Sequence, residues 1–230
     1  APLTLESDTF VHTVALDASN TTALLHHAPA AYRTRINDLL LTALTLAHHA
    51  TASSPSLSLH LEGHGREETL APGLLLDRTI GWFTALFPVH LSLPSPDPSQ
   101  AIPSIKEQLR ALPDHGASHQ LLATENGPLP TEKSSSNLVF NYLGQFDALT
   151  SGSSLFSFAP ESTGPWHSPR ATRAHATEIN AMVIGGRLET TFTSASPAHT
   201  PESLTAFAEA FLAALRQVIG HCLTITTPRF

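Results

Sequence analysis

The segment 201–219 constrains the fold most. Its Leu204, Phe207, Ala208, Phe211, Leu212, Leu215 and Val218 recur every three or four residues, so in a helix they form one apolar stripe that must pack on another apolar surface. Thr200 predicts the N-cap, Glu202 suits the positive helix start and Gly220 predicts the stop. Just upstream, 178–184 and 187–193 read as a hairpin, with Gly185-Gly186 supplying the two positive-φ positions of a tight turn.

The rest of the chain mixes the same two periods. Segment 10–16 reads as a strand and 21–28 as a short helix. Ile36, Leu39, Leu40, Ala43, Leu44 and Ala47 predict a helix over 35–49. Leu57, Leu59 and Leu61 alternate with Ser58, His60 and Glu62, a strand that runs into the turn Gly63-His64-Gly65-Arg66. Segment 81–93 reads as a strand in which Pro88 marks an edge or a bulge, since proline cannot donate to a ladder. Asp97-Pro98 predicts an N-cap and first helical position, followed by a stripe of Ile102, Ile105, Leu109 and Leu112. Segment 138–143 is a strand; 150–173 is a Ser/Gly/Pro-rich loop with a short strand at 155–158. Irregular interleaving of strands and helices predicts an α/β, α+β-like architecture: a mixed sheet with flanking helices in one domain over 1–230.

Composition narrows the function. With 13% charged residues, the fold rests on burial rather than ion pairs. A net charge of −7 and only two lysines, Lys106 and Lys133, argue against nucleic acid as a partner. One cysteine, Cys222, excludes an internal disulfide and predicts a reducing, cytoplasmic compartment. No apolar run approaches the roughly 20 residues of a membrane span, and the first residues lack a signal-peptide pattern.

Fourteen histidines invite a metal reading, but His26-His27 and His48-His49 are adjacent pairs that point to different helix faces, and no HExxH occurs. There is no GxSxG elbow. Trp82 and Phe83 read as core or interface aromatics. The turn after Glu62 differs from these. Gly63 and Gly65 let the backbone bend sharply and leave room for the carboxylate of the last strand residue to reach a cleft. Arg66 can return to pair with Glu62 or with a developing anion. Spacing alone favours the plainer alternative, a solvated ion pair on a surface turn.

Several segments together resemble the epimerization domains of nonribosomal peptide synthetases. They are EGHGRE (62–67), DRTIGWFTALFPV (77–89), FNYLGQFD (140–147), INDLLLTAL (36–44) and EINAMVIGGRL (178–188), in the family's order. The resemblance covers about 10–220. Two departures stand out. Of the family's PxxGxGYG segment, Pro113 and Gly116 are present, while Ser118, His119 and Gln120 replace the rest. The family's HHxxxDG histidine is missing: His26-His27 is followed by Ala28, Pro29, Ala30, Ala31 and Tyr32, without the Asp and Gly.

The resemblance implies one lobe, the C-terminal one, of the chloramphenicol-acetyltransferase-like fold. The N-terminal lobe bearing HHxxxDG would be the partner across a central tunnel. It implies an isomerase that inverts Cα of an aminoacyl or peptidyl thioester held on a carrier protein, making a D-amino acid. No nucleotide, flavin or metal motif appears, so the implied chemistry is expected to need no directly bound cofactor and no metal, the phosphopantetheine arm belonging to the carrier protein. Glu62 is implied as one acid–base group, with Arg66, Asn141 and Tyr142 orienting it or stabilising the enolate. The related amide-forming condensation domains and a non-catalytic docking lobe are the alternatives.

Overall fold

The computed structural model describes residues 4–67, 73, 75–119, 136–147, 161, 163–195 and 198–228. The predicted strand at 155–158 lies outside them. Six strands form one mixed sheet: β1 (Thr9–Ala15), β2 (Ser56–Gly63), β3 (Ala85–Ser92), β4 (Leu138–Gln145), β5 (Thr177–Ile184) and β6 (Arg187–Ala195). Their order across the sheet is β1-β6-β5-β4-β2-β3. β4 runs parallel to both β2 and β5, and the other pairs are antiparallel. The helices are α1 (Ala18–His26), α2 (Ala28–Tyr32), α3 (Ile36–Ala52), α4 (Pro98–Arg110) and α5 (Pro201–Leu223).

One core joins the helices to the alternate residues of the strands. Leu57, Leu59 and Leu61 of β2, Ile179, Ala181 and Val183 of β5, and Leu188 and Phe192 of β6 all enter it. The stripe of α5 covers this face as expected: Phe207 and Phe211 meet Phe192 edge-on, at ring-centroid distances of 5.6 and 5.7 Å. The opposite face of the sheet carries the other alternate residues, among them His60, Glu62, Asn141, Glu178 and Asn180.

Capping follows local chemistry. Thr200 Oγ1 accepts the Ser203 N–H at 3.2 Å while Ser203 Oγ accepts the Thr200 N–H at 2.9 Å. Asp97 accepts the Ser99 N–H at 2.9 Å, with Pro98 opening α4. The hairpin turn at Gly185-Gly186 has the expected positive φ at both positions, 58° and 71°. Pro88 lies on β3, an edge strand of the sheet.

Three boundaries differ from expectation. α5 runs through Gly220 to Leu223, because burying Cys222 beyond it outweighs the roughly 1 kcal/mol that a helical glycine costs. The short helix expected over 21–28 begins earlier, as α1 from Ala18, and a second short helix, α2, follows it after His27, where φ widens to −118°; Asp17 caps the first and Pro29 opens the second. β3 begins at Ala85 rather than at Gly81, because 81–83 is held by Arg66 instead of by a ladder. By length and composition α5 is long and apolar enough to cross a membrane, and its apolar stripe is the surface that faces the sheet.

Candidate active site

Strand β2 presents Glu62 on the face opposite its leucines. Its parallel neighbour β4 pairs Leu61 with Phe140, which sets Asn141 beside Glu62 on that face. Asn141 Nδ2 donates to Glu62 Oε2 at 2.7 Å. The Glu62 carboxyl is half-buried and its proton affinity is pushed up, first by loss of solvent and then by the negative charge of Glu178.

Glu178 belongs to a polar chain that motif reading missed. Asn180, paired with Asn141 across β4 and β5, donates to Glu178 Oε1 at 2.7 Å. Arg173 bridges Glu178 at 3.2 Å and Glu6 at 2.6 Å. Beside it, ring nitrogens of His60 and His175 share a 2.8 Å hydrogen bond; burial lowers the proton affinity of both rings. The alternation in EINAM places Glu178 and Asn180 on one strand face, but nothing local says which strand lies beside them.

Glu62 also helps to wall a cleft of about 300 Å³ between the end of β2, the start of α3 and the turn at 113–116. Asn37, Asp38, Arg35 and Arg110 lie around it. Asp38 is buried, and desolvation raises its pKa against the lowering effect of the Arg35 N–H, which it accepts at 2.7 Å. Among the described residues no group of three or more His, Cys, Asp or Glu is placed to hold a metal ion.

The four residues singled out from the sequence therefore separate. Glu62 and Asn141 touch. Tyr142 is paired with the buried Ala181 and packs against the helix-side core, on the other face of the sheet from Glu62. Burial raises its pKa, and its hydroxyl has no hydrogen-bond partner among the described residues. Arg66 makes no ion pair with Glu62; its guanidinium is engaged by backbone carbonyls of 76–81 and by the Phe83 ring. Trp82 is 91% exposed, so it is not a core residue of this chain. Large apolar side chains are exposed near the turn at Trp82, Ile80 and Leu75, and Tyr142 is not among them.

Removing the charge of Glu178 tests the electrostatics. The ionisation midpoint of Glu62, followed by carboxyl NMR, is expected above the ordinary 4.5 and should move down in Glu178→Gln, because a negative neighbour that opposes ionisation is gone. A midpoint that stays put would leave burial as the whole cause.

Comparisons with known proteins agree on the family. Residues 2–226 match the condensation-domain family. Chondramide synthase cmdD of Chondromyces crocatus is 46% identical over 212 residues, covering 91% of this chain and 5% of that synthase. Bacitracin synthase 3 of Bacillus licheniformis is 38% identical over 211 residues, covering 90% of this chain and 3% of that synthase. The crystal structure of the epimerization domain from the third module of tyrocidine synthetase B superposes with a TM-score of 0.85 at 33% identity. That match covers 97% of this chain and 51% of the other, so this chain spans about half of that domain's length and a small fraction of the synthases. The sheet, its helical layer and the match over nearly the whole sequence place the chain in the condensation-domain family, with the mixed α/β fold of the chloramphenicol-acetyltransferase type.

Proposed function

We propose that this chain forms one wall of an epimerization site of a nonribosomal peptide synthetase, acting on an aminoacyl or peptidyl thioester carried by a carrier protein. The observation that carries this reading is Glu62: a half-buried carboxyl with raised proton affinity, held by Asn141 at 2.7 Å at the end of β2. The likeness to a solved epimerization domain at 33% identity supports it.

The chemistry follows from the thioester. Sulfur donates poorly into the carbonyl, so the α C–H is more acidic than in an amide. Glu62, as carboxylate, takes the α-proton; the C–H electron pair becomes the enolate; a proton returned to the opposite face inverts the centre. Raised proton affinity brings Glu62 closer to the match between acid and base that proton transfer needs. Asn141 fixes the carboxyl and leaves its other oxygen for the substrate. The second acid–base group stands on the facing wall, in the half of the domain that this chain does not span.

The test uses the full polypeptide that carries this chain, with an L-aminoacyl thioester loaded on its carrier protein in D₂O. Deuterium should enter at Cα, and the recovered amino acid should become a mixture of L and D. Amide formation with an added aminoacyl acceptor, without deuterium at Cα, would instead assign the domain to the family's condensation chemistry.

A further inference from the structure

The turn after Glu62 and the segment ending at Phe83 form one mechanical unit. Strands β2 and β3 pair up to the rungs Glu62–Leu86 and Gly63–Ala85, and the flanking segments 64–67 and 75–84 lie outside that ladder. Arg66 ties these two segments together. Its Nη1 donates to the carbonyls of Leu76 and, at 2.9 Å, Thr79. Its Nη2 donates to the carbonyl of Gly81 at 3.3 Å. Its guanidinium carbon lies 4.2 Å from the centroid of the Phe83 ring, within the range of a cation–π contact. The backbone N–H of Arg66 donates to His64 Nδ1 at 3.0 Å. Gly65 lets the two segments come close together: its φ is +63°, and a Cβ there would stand 1.7 Å from the Phe83 carbonyl oxygen.

Three carbonyls of an irregular segment thus find donors in one planar fork, which a lysine ammonium cannot reproduce together with the ring contact. The segment so held points Leu75, Ile80 and Trp82 outward, at 73%, 101% and 91% exposure. The positive charge of Arg66 is spent on the loop, away from the Glu62 carboxyl.

We propose that Arg66 is a positioning residue: it clamps the 75–83 segment onto the turn and so fixes the last β2–β3 rungs that hold Glu62, rather than stabilising an enolate directly. The functional half of this proposal rests on the reading of Glu62 as an acid–base group; the clamp itself does not.

The experiment compares Arg66→Lys, Phe83→Leu and Gly65→Ala in the full polypeptide, by amide hydrogen exchange and by α-proton exchange of the carrier-bound thioester. Lysine keeps the charge but loses the fork; the other two keep Arg66 and disturb only the clamp. All three should speed amide exchange in 75–83 and at Gly63 and Ala85 by at least about 10-fold, with α3 and α5 unchanged. All three should lower turnover, by about 10²-fold for Arg66→Lys, the scale of loss from a small misplacement of a reacting group. The loss should lie in kcat, with KM little changed. Arg66→Lys with wild-type amide exchange would overturn the clamp, whatever its effect on turnover. Full turnover in Phe83→Leu and Gly65→Ala with loss in Arg66→Lys would assign the guanidinium a direct role. Absence of α-proton exchange in the unaltered protein would overturn the proposed reaction, and the amide data would still decide the clamp.

Discussion

Glu62→Gln is expected to slow α-proton exchange by about 10²–10⁴-fold, the contribution of a positioned general acid or base. Glutamine keeps the shape, and its Oε1 can still accept from Asn141 Nδ2, which lies 2.7 Å from Glu62 Oε2. What it loses is the ability to take and return a proton. A stability measurement separates this loss from unfolding. Burial raises the proton affinity of Glu62 in the folded chain, so the folded state binds this proton more tightly than the unfolded one. That contribution is fully present below the unfolded pKa and is lost as pH rises through the folded pKa. Glutamine removes this pH dependence. The variant should therefore lose less stability than the wild type between pH 4 and pH 7, while its turnover collapses. Turnover within a few-fold of wild type would remove Glu62 from the proton transfer.

Phe192→Ala should be among the most damaging single changes to the fold. Phe192 is fully buried and is the ring that both Phe207 and Phe211 of α5 meet edge-on. Truncation leaves a cavity where the long helix joins the sheet, at a cost of about 3–5 kcal/mol. For a chain of this size each kcal/mol lowers Tm by about 2–4 °C, so a thermal melt should fall by on the order of 10 °C. Val11→Ser is the counterpart on the open face, where Val11 is 61% exposed; its expected effect is within about 0.5 kcal/mol. Equal losses at both positions would mean that the open face is as tightly packed as the core.

Much of the framework follows from local pattern. The alternation in Leu57–Ser58–Leu59–His60–Leu61–Glu62 sets which side chains of β2 share a face, because successive residues of a strand point to opposite sides. The stripe of α5, the Asp97-Pro98 start of α4 and the Gly185-Gly186 turn are equally local: each depends on residues within one or two turns of chain. Glu62 could be named as the residue at the strand's end for the same reason, and the ordered motifs around it pointed to the family that the comparisons bear out.

Tertiary structure decided which strand lies beside which. β2 and β4 are separated by about 75 residues of chain and become parallel neighbours only when the sheet closes; that step alone gives Glu62 its Asn141. The same closure sends Tyr142 to the helix side, since adjacent residues of β4 cannot both face Glu62. It also brings Glu178 near enough to raise the proton affinity of Glu62. Arg66 shows the limit of spacing most plainly. Four residues after a carboxylate, an arginine reads as an ion-pair partner, yet three carbonyls and a ring from 76–83 claim its guanidinium. Periodicity specifies a side chain's direction relative to its own element. Its partner depends on long-range packing, in which every polar group of the irregular segments must also find a donor or acceptor.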